Sequence, residues 1–145
     1  SLDGGFNRLP QAVLCTLRAL LHGMNFDYAM FLRYDKNEEA LVPAAFLGGR
    51  QEGFEEMRRK TIDANSKYMP DIQAMLQKQA IFSGDPLFGD HYPFAAFPAI
   101  ARNEVWGVFF AHKRSTPDAA PLDTQEQVAV IALAEEWHDV PGGFF

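Results

Sequence analysis

Ala95-Ala96-Phe97-Pro98-Ala99-Ile100-Ala101, then Arg102-Asn103-Glu104, then Val105-Trp106-Gly107-Val108-Phe109-Phe110-Ala111-His112: this stretch decides the fold. Its last part, rich in β-branched and aromatic residues, is the clearest strand in the chain. The first part reads as a second strand, broken by Pro98. Proline cannot donate to a ladder, so an edge or a bulge is expected there. Arg102-Asn103-Glu104 is the turn between them, and two strands joined so tightly pair antiparallel.

Upstream, Phe26–Tyr34 reads as another aromatic-rich strand, Asp35–Glu38 as a turn, and Ala40–Leu47 as its hairpin partner, ended by Gly48-Gly49. Residues 9–22 read as a helix with Pro10 in its first turn and Gly23 at its stop. Leu9, Val13, Leu17, Leu20 and Leu21 fall near helical spacing, and Leu14 and Leu21 form a second apolar stripe one heptad apart. Residues 51–62 read as a second helix carrying Glu55/Arg59 and Glu56/Lys60 pairs. Pro70 opens a third, through about Gln79. Ala80-Ile81-Phe82 is a short apolar run ended by Ser83-Gly84-Asp85-Pro86, with a loop to His91-Tyr92. The last helix spans 124–139, with Thr124 as N-cap and Gln127 completing a capping box. This order lacks the strict alternation of a doubly wound parallel sheet, so the class is α+β with an antiparallel sheet.

The bulk properties bound the function. A chain of 145 residues, 48% hydrophobic and 22% charged, fits one globular domain. Thirteen phenylalanines must fill a thick core, line a cavity or cover an interface. A net charge of -6 argues against nucleic acid as a partner, and Arg58-Arg59-Lys60 among glutamates reads as a solvated helix face. The single cysteine, Cys15, permits no intrachain disulfide, fits a reducing cytoplasmic setting, and reads as a buried structural thiol. No apolar run approaches the roughly 20 residues that cross a bilayer, so no membrane partner is expected. The chain begins Ser1-Leu2 without methionine, which reads as a piece of a longer parent, with residues 1–8 disordered or tag-derived.

Phe97-Pro98-Ala99-Ile100 followed by Val105-Trp106-Gly107-Val108-Phe109 resembles the GAF domain, where an apolar-proline strand, a turn and an apolar-Gly-apolar strand follow one another. Gly23 before a first strand ending at Asp35, a hairpin partner, Ile81 and Asp85 as a short strand ending in an acid, and a long closing helix agree. The resemblance covers nearly the whole chain. Among such domains it is most similar to those of bacterial signalling proteins, including the HDOD-associated type.

The resemblance implies a PAS-like antiparallel sheet of five or six strands. It places terminal helices 9–22 and 124–139 on one face and a pocket under the middle helices and loops on the other. It also implies homodimerisation through the terminal helices, attachment to other signalling domains, and a sensor role without catalysis. The ligand class does not carry over. The Asn-Lys-Phe-Asp-Glu signature of cyclic-nucleotide binders is absent, and Cys15 lies in the first helix, not where bilin-holding or sulfoxide-reducing members keep their cysteines.

For a ligand pocket, Met69, Ile72, Met75, Leu76, Phe82, Phe88, Tyr92 and Phe94 supply apolar lining, or else plain core. Tyr28 and Tyr34 supply polar anchors if they face the same side. Asp85, Asp90 and His91 form the best polar cluster, although aspartates beside Pro86 and Gly89 also suit turns. Glu135 and His138, three apart on one helix, can present two metal ligands or simply a favourable charge near a helix end. No cofactor is named by any motif, and no catalytic constellation emerges. A filled structural dimerisation domain is the alternative reading.

Overall fold

The computed structural model describes residues 2–48, 58–83, 93–113 and 121–139. Helix α1 (Leu2–Arg18) runs into a π-helical turn at Ala19–Gly23. Strands β1 (Tyr28–Asp35) and β2 (Ala40–Gly48) follow, then the short β3 (Lys60–Thr61), helix α2 (Pro70–Gln77), the short β4 (Ile81–Phe82), strands β5 (Phe94–Ala101) and β6 (Glu104–His112), and helix α3 (Thr124–Glu135), which tightens into a 3-10 turn at Glu136–Asp139. Among the described residues the sheet has six strands in the order β3-β2-β1-β6-β5-β4, and every pair is antiparallel.

The β5–β6 hairpin forms as its sequence requires. Ala101 pairs with Glu104, leaving Arg102 and Asn103 as a two-residue turn, both at positive φ (53° and 63°). Both central residues at positive φ make a type I′ turn, whose twist matches that of its strands. Pro98 does not break β5; it pairs opposite Val108, and the irregularity falls at Ala99/Ile100. The Ser83 N–H donates to the Phe94 carbonyl from the β4 side. Backbone groups alternate along a strand, so Pro98 turns its nitrogen toward the same side, beyond the end of the two-residue β4. The missing N–H therefore falls on an edge where no strand is paired among the described residues.

Alternation also divides the core in two. Phe31, Phe97 and Phe109 face α1 and α3, joined by Val13, Leu17, Leu20, Val130, Leu133 and Trp137. Tyr28, Met30, Phe94 and Phe110 face the other way, against Ile72, Ala74 and Met75 of α2. The terminal helices thus occupy one face and the middle helix the other, as expected. Between them Gly107 lets β6 approach β1: a Cβ there would sit 2.3 Å from the Leu32 carbonyl oxygen and 2.5 Å from Phe31 Cζ.

Helix α1 extends back across Pro10 and Gly4-Gly5 to Leu2, although these are poor helix formers. Four readings need correction. The predicted helix over 51–62 lies outside the described residues up to Met57, and its end is not helical: Lys60–Thr61 is strand, pairing with Ala40 and Leu41. The i,i+4 charge pattern there gave no hint of a partner strand. The N-cap of α3 is Asp123, not Thr124. Its carboxylate accepts from the Glu126 N–H (2.8 Å) while Glu126 accepts from the Asp123 N–H (3.0 Å), a capping box one residue earlier. Cys15 is exposed rather than buried, because Val13, Leu17 and Leu20 set the inward face of α1 and Cys15 falls off it. Finally, Leu14 and Leu21 do not form one stripe: Leu14 is 37% exposed, whereas Leu21 packs against the core. The π-helical turn between them adds to the residues per turn and shifts the phase. Among the described residues no helix is long and apolar enough to cross a membrane.

Candidate functional site

The face under α2 gathers most of the describable residues that the sequence singled out. Tyr28, Ile72, Met75 and Phe94 belong to its buried cluster, and Tyr34 and Met69 pack against it. Ring stacking orders this layer: Phe94 on Phe110 (5.7 Å), and Tyr28 between His112 (5.1 Å) and Phe46 (6.2 Å). Phe82 is the exception. It packs with the terminal-helix core, because in β4 Ile81 takes the α2 side and its neighbour must point the other way. Leu76 is 45% exposed and lines nothing there. Asp85, Phe88, Asp90, His91 and Tyr92 lie outside the described residues.

Sequence reasoning missed the polar feature of this face. Lys60 on β3 forms an ion pair with Asp71 in the first turn of α2, and both side chains are nearly inaccessible (6% and 2% exposed). The second Asp71 oxygen accepts from the Ile72 N–H at 2.8 Å. A carboxylate in the first helical turn also meets the positive end of the helix dipole. The pair ties α2 to the β3 edge of the sheet, and breaking it would strand a buried charge. Beside it a shallow groove of about 300 Å³ opens between β3 and the turn before α2, lined by Arg58, Arg59, Lys60, Asp63, Asn65 and Met69. The only sequence signal was a lysine inside a charge-rich run, and that signal pointed to solvent.

The opposite face is held by a different set of contacts. The Trp137 indole N–H donates to Thr16 Oγ1 at 3.0 Å, and Thr16 in turn donates to the Ala12 carbonyl at 2.8 Å. Trp137 lies parallel to Phe31 at 6.3 Å and tilted on Phe109 at 5.5 Å. Lys113, just past β6, pairs with Glu126 in the first turn of α3. That hydrogen bond is the main reason the Glu126 carboxyl titrates below its ordinary 4.5; partial burial opposes it, and the Asp123 N–H reinforces it. Outside this core, α1 and α3 still present apolar groups to solvent: Leu14, Val128 (58% exposed) and Ile131 (41%). Glu135 and His138 are both exposed, and no cluster of three metal-ligating side chains exists among the described residues.

With these two faces in place, the architecture is that of the GAF domain. The chain superposes on the GAF domain/HD domain protein from Geobacter sulfurreducens with TM-score 0.71 and 18% identity, over 97% of this chain and 95% of that one. The second GAF domain of DevS from Mycobacterium smegmatis gives 0.66 and 18%, over 89% of each chain. The free methionine-R-sulfoxide reductase from Neisseria meningitidis, solved with its substrate, gives 0.61 and 14%, over 90% of this chain and 84% of that one. No family model matches the sequence, and no curated protein matches it. The fold is therefore GAF-like, an α+β antiparallel sheet between two helical layers, and it is shared by GAF domains of multidomain proteins and by a free methionine-R-sulfoxide reductase.

Proposed function

We propose that this chain is a GAF-like regulatory domain of a signalling protein that senses on the α2 face and reports through α1 and α3. The observation that carries this reading is the separation of the two layers by one sheet. Alternate residues of β6 serve both: Phe110 stacks in the α2 layer, and Phe109 contacts Trp137 in the terminal layer. A small molecule that prefers one packing of α2 would shift the position of β6 and so bias the packing of the terminal helices. Tyr28, Tyr34, Met69, Ile72, Met75 and Phe94 would line its site, with Lys60–Asp71 as the polar element at the rim.

Multidomain signalling neighbours such as the GAF domain/HD domain protein support attachment to further modules, of the HDOD type or another. The exposed Leu14 and Val128 support homodimerisation through the terminal helices, since apolar residues on an outward helix face are covered in a dimer. A non-catalytic role in a reducing, cytoplasmic setting is supported by the lone Cys15, which sits on α1, across the sheet from the α2 layer, and cannot serve a redox cycle there. A second reading, a structural dimerisation domain with a filled core, is favoured by how completely Met30, Ile72 and Phe110 are buried.

Native mass spectrometry of freshly purified protein tests the sensor reading. A dimer mass carrying extra non-covalent mass supports it. A dimer with no adduct, unchanged by a small-metabolite library, supports the filled-core reading instead.

A further inference from the structure

At the β4 edge of the sheet the two helical layers come within reach of one another. Strand β4 pairs only with Ala95 and Ala96, so β5 from Phe97 onward has no strand beside it among the described residues. Pro98 and Ile100 of that uncovered edge form the floor of a groove of about 350 Å³. One wall is the flank of α3 and its 3-10 turn, where Ile131, Ala134, Glu135 and His138 follow the i, i+3, i+4, i+7 spacing of a single helix face. The other wall is Lys78, Gln79 and Ala80, just past the end of α2. Lys78 is held in a left-handed conformation (φ 56°), its N–H bonded to the Ala74 carbonyl, so its backbone position is fixed.

The charges in this groove are arranged across it. Lys78 stands on the α2 wall and Glu135 on the α3 wall, and neither forms an ion pair among the described residues. The lining also includes Ala80, Ile100, Ile131 and Ala134, and Ile131 is left 41% exposed. The volume is at the lower end of the roughly 300–1,000 Å³ typical of small-molecule sites. An occupant that satisfied all of this would carry a carboxylate for Lys78, an ammonium for Glu135 and an apolar body for Ile100 and Ile131.

We propose that this groove is a second binding site, distinct from the α2 face, for a small zwitterion: an amino acid with an apolar side chain. Lys78 takes its carboxylate, Glu135 its ammonium, and His138 offers a further hydrogen bond to either group. A molecule seated there ties the end of α2 to α3, which the sheet otherwise keeps apart; its effect on signalling, a restraint on the motion between the two faces, rests on the function proposed above, whereas the binding itself does not. This site does not depend on the α2 face holding a ligand or on the chain dimerising.

The test is a two-dimensional amide NMR titration of the intact chain with L-leucine, L-methionine and L-phenylalanine in turn. The expected result is saturable shifts confined to residues 78–80, 98–101 and 131–138 with at least one of the three. N-acetyl-L-leucine, which lacks the ammonium, and L-leucinamide, which lacks the carboxylate, should each bind at least about tenfold more weakly than L-leucine, the loss of one charge-assisted hydrogen bond. Lys78→Met and Glu135→Gln, both at exposed positions, should weaken the amino acid to a similar degree with unchanged reference spectra. The proposal is overturned if none of the three amino acids shifts these residues at up to about 10 mM, or if the neutralised analogues bind as well as the parent. Shifts confined to residues of the α2 layer would likewise refute it while leaving the sensor reading standing.

Discussion

Trp137 and Thr16 are 121 positions apart in sequence and share one buried hydrogen bond, so a double-mutant cycle on them measures how firmly the two ends of the chain are fastened. Thr16→Val keeps the shape of the side chain and removes the acceptor, leaving the indole N–H buried with no oxygen to meet. Stranding such a donor costs about 1–3 kcal/mol. Trp137→Phe removes the donor while Thr16 keeps its bond to the Ala12 carbonyl. Its cost comes from packing against Phe31 and Phe109: a void of roughly 40 Å³ at about 24 cal/mol per Å³, plus the lost transfer term, gives about 2 kcal/mol. In the double variant no donor is stranded. The sum of the single losses should therefore exceed the loss in the double variant by about 1 kcal/mol. Urea unfolding followed by far-ultraviolet circular dichroism gives all four stabilities, provided that the m-values agree. Additivity within about 0.3 kcal/mol would refute the idea that α1 and the end of α3 are locked through this bond.

Gly107→Ala should destabilise the protein by about 3 kcal/mol, since the new methyl meets a strand carbonyl and a packed ring, whereas Gly23→Ala, with nothing within 4 Å, should stay within about 0.5 kcal/mol; thermal melts of both decide it. Lys60→Met should cost about 3–5 kcal/mol by stranding Asp71, and adding Asp71→Leu should recover most of that loss; chemical denaturation showing the double variant no better than the single would contradict the buried pair. Glu126 titrates below its ordinary value of 4.5, so its contribution to stability is present in full above that pH and is lost as pH falls through the lowered value. Melting temperatures of Glu126→Gln and the unsubstituted chain should therefore differ at pH 7 and converge in strong acid; a gap that persists there would rule out the Lys113 pair as its source.

How much of this was legible in the sequence follows from the range of the forces involved. The β5–β6 hairpin was readable because turn chemistry and alternation act over a few residues, and Pro98 announced an edge for the same local reason. The two-faced core was legible only through the resemblance to the GAF domain; strand alternation, which puts Phe109 and Phe110 on opposite sides, is its physical basis in the structure. Phe82 was misplaced because a two-residue strand offers too little alternation to phase. Lys60 was misread because its partner, Asp71, lies on another element, and a charged run looks identical whether one of its members faces water or a buried carboxylate. Cys15 was misread because its residue type was weighed above its helical phase, although Val13 and Leu17 already defined that phase. The groove between Lys78 and Glu135 had no sequence signature at all, because it exists only where a short β4 leaves the edge of β5 uncovered.

Sedimentation equilibrium of the unsubstituted chain beside a Leu14→Glu/Val128→Glu variant addresses the output face itself. Terminal helices that report by pairing predict a dimer mass for the first and a monomer mass with an unchanged circular dichroism spectrum for the second. A chain that sediments as a monomer at every concentration, or a variant that remains dimeric, would contradict the assignment of α1 and α3 as the output.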